Sequence, residues 1–213
     1  MGTAGARAVS YAHYGGQRHG EMKFCMQCGH ALELTIPPGD NHPRLCCPAC
    51  GYIHYQNPKI LVSCIAHWQD RVLWMRRARA PRQGLWSMPS GFMEQGETLS
   101  AAAARELFEE TGVVIRPQAL SLYIIGTITS ISEVYVVFRG EMPSPEFHVG
   151  EEALEAGLFS EADAPWNEFA YPEVEGPTRR FYQELERGEF GIYMGEYTEL
   201  GNKFWSTLCH PDA

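Results

Sequence analysis

Glu106, Glu109 and Glu110 stand three and four residues apart in the stretch RELFEETG, residues 105–112, directly after four alanines. An α-helix turns about 100° per residue, so Glu109 falls roughly 60° to one side of Glu106 and Glu110 roughly 40° to the other. The three carboxylates would share one face, and Ala104, Leu107 and Phe108, between about 100° and 200°, would pack on a core from the opposite side. Two chemistries fit such a face. On an exposed helix, like charges four residues apart cost only about 0.2–0.5 kcal/mol a pair, so the cluster could be a solvated acidic surface. Carboxylate oxygens gathered in this way are also hard ligands for Mg²⁺, which takes octahedral geometry and retains several waters.

A second constellation lies near the N-terminus. Five of the seven cysteines, Cys25, Cys28, Cys46, Cys47 and Cys50, fall within residues 25–50, so they form a local device and not a disulfide framework. CMQCGH (25–30) and CPACGY (47–52) are both C-x2-C-G knuckles, in the order C-x2-C-x18-C-x2-C. Four thiolates at this spacing, Cys25, Cys28, Cys47 and Cys50, suit a tetrahedral zinc with no open position, hence a structural one. The glycine after each second cysteine lets backbone amides turn toward the sulfurs. A C-x3-C variant using Cys46 is left open by the spacing. Cys64 sits in an apolar run and reads as a core residue. Thiols held this way belong in a reducing compartment, the cytoplasm or an organelle stroma.

The elements that must position these groups follow from patterning. A chain of 213 residues, 45% apolar, supports one good core and a small appendage. Four zones emerge: a flexible tail over 1–22, a cysteine-bearing module of short strands and turns over 23–57, an α/β domain over 58–165, and a closing helix and tail over 166–213. The last two together make one domain, 58–213. ILVSCIAHW (60–68) and RVLWMRR (71–77) predict a hairpin turning at Gln69-Asp70. ALSLYIIGTI (119–128), EVYVVFRG (133–140) and LEAGLF (154–159) supply further strands. The acidic helix is capped by Thr98 or Ser100 and stopped by Gly112. A second helix is entered near Pro177, carries Phe181 and Leu185 on one face, and stops at Gly188. The first twenty residues lack a signal-peptide core, and no apolar run of about 18 residues is present, so no membrane partner is expected. The formal net charge of −9 argues against broad electrostatic binding of nucleic acid. An anionic substrate would then need a metal ion or a local basic patch, for which Arg76, Arg77, Arg79 and Arg82 are candidates.

Read as one unit, GFMEQGETLSAAAARELFEETGV (91–113) has the spacing G-x5-E-x7-R-E-U-x-E-E-x-G-U, with U aliphatic. Nine such coincidences arise by chance roughly once in a billion starting points at ordinary residue frequencies. The segment is identified as a Nudix box, and the chain resembles Nudix hydrolases over residues 58–165, with GLWSMPSGF (84–92) similar to the strand and turn that lead into the box. The resemblance implies an α/β/α sandwich with a mixed sheet, an α/β (α+β) fold, preceded here by a zinc ribbon. It implies Mg²⁺ or Mn²⁺ held by Glu106, Glu109, Glu110 and the Gly91 carbonyl, with Arg105 orienting Glu109. Glu97 would be an outer ligand or a partner of Arg105. The general base would come from the helix, as Glu106 or Glu110, or from the loop HVGEEALE, as Glu151 or Glu152.

Two zinc-ribbon groups of the family are similar. The NADH pyrophosphatases, which also remove NAD caps from RNA, carry a SQPWPFP-like signature, to which APWNEFAYP (164–172) is a poor match. A smaller group, bacterial and plastid, cleaves FAD and ADP-ribose, and FCMQCG, RLCCPACG, IHYQNPK and GEEALEAGLF follow its order. The expected substrate is therefore a small nucleotide, FAD or ADP-ribose, with AMP released. NADH or NAD-capped RNA is the alternative, and a catalytically silent ligand sensor is a third. Trp86, Phe92, Tyr123, Tyr135, Phe159 and Phe169 could stack a flat ring, although core packing is the commoner role for each. Nudix domains commonly pair, so a homodimer is an expectation of the same kind.

Overall fold

The computed structural model describes residues 22–198 and 200–207. The tail expected over 1–22 therefore lies, except for Met22, outside the described residues, as does Cys209. The chain divides into two compact units, with the break between Pro58 and Lys59.

The first unit is a three-stranded antiparallel sheet, β1 (Glu33–Thr35), β2 (Arg44–Cys46) and β3 (Ile53–His54), in that order. Its two knuckles repeat one local structure. Cys25 N–H donates to the His30 carbonyl and Gly29 N–H to the Cys25 carbonyl, and Cys47, Tyr52 and Gly51 make the same pair of bonds. Gly29 and Gly51 both have φ of 74°, the left-handed turn that the glycine in each knuckle permits.

The second unit is built on a mixed sheet. Its strands are β4 (Lys59–Trp68), β5 (Arg71–Arg77), β6 (Trp86–Ser87), β7 (Ser90–Phe92), β8 (Ser121–Ile128), β9 (Glu133–Glu141), β10 (Ala153–Phe159), β11 (Tyr193–Thr198) and β12 (Gly201–Ser206). The order is β10-β5-β4-β9-β8-β11-β12, with β6 on β5 and β7 on β4. β4 runs parallel to β9 and β8 parallel to β11, and the other pairs are antiparallel. The expected hairpin turns at Gln69, with His67 opposite Val72.

β4 is largely apolar over residues 62–66 because both its faces are covered there. Val62, Cys64 and Ala66 meet Ala102, Ala103 and Leu107 of α1 (Leu99–Thr111). Ile65, on the other face, joins a largely aromatic core around Trp74, Tyr123 and Phe181, the last supplied by α2 (Glu175–Arg187). The result is the expected α/β/α sandwich. Thr98 caps α1 through its side chain, which accepts from Ala101 N–H, and Gly112 closes it in the left-handed conformation. Pro177 lies in the first turn of α2 and Gly188 ends it. Trp74 Nε1 donates to the Tyr182 hydroxyl at 2.9 Å, tying α2 to the sheet.

Two expectations are corrected. The zone over 166–213 is not a helix and tail: α2 is followed by the β11–β12 hairpin, which extends the sheet edge beyond β8. Tyr193, Gly195 and Tyr197 alternate inward along β11. The packing face of α1 is also different from that expected. Ala102, Ala103, Leu107 and Glu110 are buried, whereas Phe108 is half exposed. Paired alanines let the helix approach the sheet on the side where the glutamates begin.

Gly126 and Gly195 face each other across β8 and β11, beneath the Tyr135 ring. A Cβ on Gly126 would lie 2.5 Å from the Gly195 carbonyl oxygen and from Tyr135. Gly126→Ala is expected to destabilise the protein by about 1–3 kcal/mol, seen as a lower urea midpoint with an unchanged slope. A shift below about 0.5 kcal/mol would mean that β11 does not pack at this register.

Candidate active site

The C-terminal half of α1 carries Glu106, Glu109 and Glu110 to one end of the sheet, where two loops close on them. From the Pro89-Ser90-Gly91 turn, Ser90 N–H donates to Glu110 Oε2 at 2.8 Å. Gly91, paired with Val62 on β7, lies against Glu106: a Cβ there would stand 2.2 Å from the Glu106 carboxyl carbon. Only glycine leaves room for that carboxylate beside the main chain. From the other side, His148 N–H donates to the Thr111 carbonyl at 2.8 Å and Gly150 N–H to the Glu110 carbonyl at 2.9 Å. A Cβ on Gly150 would meet the Glu109 carbonyl oxygen at 2.0 Å. The loop is thus docked on the helix end, whose terminal carbonyls it satisfies, and it delivers Glu151 and Glu152. Glu106, Glu109, Glu110, Glu151 and Glu152 together line a cavity of about 300 Å³.

Charge in this cavity is poorly balanced. Arg105 Nη1 reaches Glu106 at 2.7 Å and Glu109 at 3.1 Å. The rest of its guanidinium goes to Glu97, at 3.1 and 2.8 Å, and to the Phe92 carbonyl. Arg105 therefore serves Glu106 as well as the expected Glu109, and of the two roles expected for Glu97 the contacts show that of a partner of Arg105. Arg105 in turn holds Glu97 below the ordinary carboxylate range. Burial pushes Glu110 up to about 8, only partly offset by the Ser90 amide, with the Glu106 charge adding to the rise. Burial also raises Glu106 against the pull of Arg105. Hard oxygens crowded without enough positive charge are the donor set that suits a divalent cation. Glu152 is half exposed at the rim, and Arg79 Nη1 donates to its Oε1 at 2.5 Å.

In the ribbon, the sulfurs of Cys25, Cys28, Cys47 and Cys50 all lie within 4.8 Å of one another. Cys46 Sγ points elsewhere, 3.9 Å from the Thr35 carbonyl. Burial opposes ionisation of Cys47, but the Cys50 and Ala49 amides and the Cys28 thiol outweigh it and bring Cys47 down to about 6. Of the six candidate stacking aromatics, Trp86, Tyr123, Tyr135 and Phe169 are core residues, whereas Phe92, next to Gly91, is exposed. Sequence reasoning missed the Arg79–Glu152 pair and the docking of the loop through Gly150; a glycine directly before two glutamates was the available signal.

Residues 58–185 match the NUDIX domain, and residues 23–56 match the zinc ribbon described as Nudix N-terminal. The chain belongs to the Nudix family. A NUDIX hydrolase from Nitrosomonas europaea is similar in crystal structure and sequence, with 43% identity and a TM-score of 0.77 over 82% of this chain and 98% of that one. The NAD-capped RNA hydrolase NudC of Vibrio cholerae is 35% identical over 53% of this chain and 38% of its own length. An ADP-ribose pyrophosphatase of Methanocaldococcus jannaschii is 30% identical over 58% of this chain and 74% of its own length. The chain thus spans little more than a third of the Vibrio cholerae protein. Nudix enzymes act with a divalent metal. Among the described residues no helix is long and apolar enough to cross a membrane.

A carboxyl whose folded pKa is raised from 4.5 to about 8 binds its proton more tightly in the native state. Without metal, stability therefore falls as pH rises through that window. In chelated buffer at pH 8, Glu110→Gln is expected to melt higher than the parent, by about 2–8 °C, and to gain nothing from added magnesium, which stabilises the parent. A lower melting temperature for the variant would show that Glu110 is not under electrostatic strain.

Proposed function

We propose that this protein is a divalent-metal-dependent pyrophosphatase that cleaves the diphosphate bridge of nucleoside diphosphate-linked compounds, FAD or ADP-ribose first, and releases AMP. The observation that carries this reading is the five-glutamate cavity in which Glu110 and Glu106 are held at raised pKa beside Gly91. Glu106, Glu109 and Glu110, with the Gly91 carbonyl, would hold Mg²⁺ or Mn²⁺. Such a cation supplies a more acidic water and charge neutralisation on the phosphates.

The chain's own residues do the rest. The Ser90 amide occupies one oxygen of Glu110 and fixes the direction of the other. Arg105 bridges Glu106, which is shielded from solvent, and the more exposed Glu109, and so holds the two in register with each other. Glu152, at the rim, with Arg79 as its side-chain partner, would take the proton of the attacking water. Water adds across the P–O–P bridge: its oxygen joins one phosphorus, and the bridging oxygen leaves with the other phosphate. Cys25, Cys28, Cys47 and Cys50 would bind a structural zinc, which steadies a ribbon too small for a core of its own. Similarity to the Methanocaldococcus jannaschii pyrophosphatase supports ADP-ribose as a substrate.

A second reading, hydrolysis of NADH or of NAD caps on RNA, is favoured by the likeness to the Vibrio cholerae protein. The silent-sensor reading fits less well, because every box carboxylate is present. Assays of FAD, ADP-ribose, NADH and a diadenosine polyphosphate side by side separate the three. Metal-dependent AMP release from FAD or ADP-ribose is expected, with Glu110→Gln at least about a hundredfold slower. A preference for NADH above about tenfold, near 1.4 kcal/mol in transition-state binding, would favour the second reading. No turnover by the parent would favour the sensor.

A further inference from the structure

Four arginines lie near the cavity on β5 and the loop that follows, and three are committed to the scaffold. Arg76 pairs with Glu155 and Glu168 and donates to the Gly84 carbonyl. Arg77 donates to the Pro81 carbonyl and lies over the Tyr171 ring. Arg82 covers the other contacts of this loop, to Glu173, the Ala170 carbonyl and the Tyr171 ring. Arg79 differs. Its side chain is 64% exposed, and its ion pair is with Glu152, itself a cavity acid.

The position is built into the sheet. Arg77 pairs with Ala153 across β5 and β10, and Ala78 N–H continues that ladder to the Glu152 carbonyl at 2.9 Å. The next residue, Arg79, must therefore emerge beside the Glu152 side chain at the mouth of the cavity. An ion pair this exposed contributes little and is easily exchanged. A diphosphate offers a guanidinium more charge and a bidentate set of oxygens, which a single carboxylate oxygen does not match.

Resting on the reading of the cavity as a diphosphate-cleaving site, we propose that Arg79 is its phosphate-binding residue. Arg79 leaves Glu152 for the substrate diphosphate, and this exchange uncovers the Glu152 carboxylate only when substrate is in place. The cavity acids repel an anion until cations fill them. Arg79 supplies a positive group at the entrance that the protein itself occupies in the free state.

Calorimetric binding of pyrophosphate in excess magnesium, on the full chain, tests this without requiring turnover. Arg79→Ala is expected to weaken binding at least about tenfold and to raise KM by a similar factor, and Arg79→Lys to recover part of the loss. Glu152→Gln, in which Arg79 is already free, is expected to bind pyrophosphate at least as tightly as the parent while kcat falls about a hundredfold. The loss caused by Arg79→Ala should persist or grow in the Glu152→Gln background. If that loss vanishes there, Arg79 acts only by holding Glu152, and the proposal fails. It fails equally if Arg79→Ala binds pyrophosphate as the parent does. A parent that binds pyrophosphate but hydrolyses none of the four nucleotides would overturn the hydrolase reading alone, because the binding comparison still decides the role of Arg79.

Discussion

Burial of carboxylates side by side, with mutual repulsion added to the loss of hydration, is the constraint around which the acidic end of this domain is organised. On an exposed helix, glutamates four residues apart cost a few tenths of a kcal/mol. At an effective dielectric constant of about 20, two like charges about 4 Å apart repel by about 4 kcal/mol. Glu110 is 4% exposed, so its environment is the second kind. Arg105 offsets part of the repulsion, yet its own contacts are shared among Glu97, Glu106 and Glu109. In the free protein, burial, with the Glu106 charge adding to it, favours a proton on Glu110, and burial raises Glu106 as well. A divalent cation held by these oxygens would relieve the repulsion more fully. Stability and metal binding are two readings of one charge imbalance.

The scaffold exists to hold that imbalance. β4 carries Gly91 on its neighbour β7 and packs α1 through small side chains, so that the helix end and the Pro89–Gly91 turn meet within hydrogen-bonding distance. The loop at 148–152 closes the third side by capping the helix carbonyls. Three backbone segments thus converge on acids that would otherwise drive one another apart. The aromatic core on the opposite face of the sheet, tied by Trp74 and Tyr182, supplies stability that the acidic end lacks.

Much of this was legible in the sequence, for physical reasons that also explain where legibility ended. Spacing identified Glu106, Glu109 and Glu110 as one cluster, because helical periodicity is local. It did not say which side of α1 meets the sheet: Leu107 was correctly placed inside and Phe108 was not, since Ala102 and Ala103 decide how close the helix can come. The β11–β12 hairpin escaped notice because YMGEYT and GNKFWS contain glycine and charge where a strand would be expected to show Val or Ile. Its signal was the alternation of Tyr193, Gly195 and Tyr197. Spacing chose Cys47 and left a variant using Cys46 open, and the fold turns the Cys47 sulfur into the cluster and the Cys46 sulfur out of it. The resemblance pointed to Glu151 or Glu152, but the pairing of Glu152 with Arg79 is a long-range event, set by the pairing of β5 with β10.

The most direct measurement is the location of manganese in crystals of the parent protein, by anomalous scattering at saturating metal. Peaks bounded by the carboxylates of Glu106, Glu109 and Glu110 and the Gly91 carbonyl are expected. A cavity without metal, in crystals of protein that still hydrolyses its substrate, would contradict the claim that these acids are gathered to hold cations.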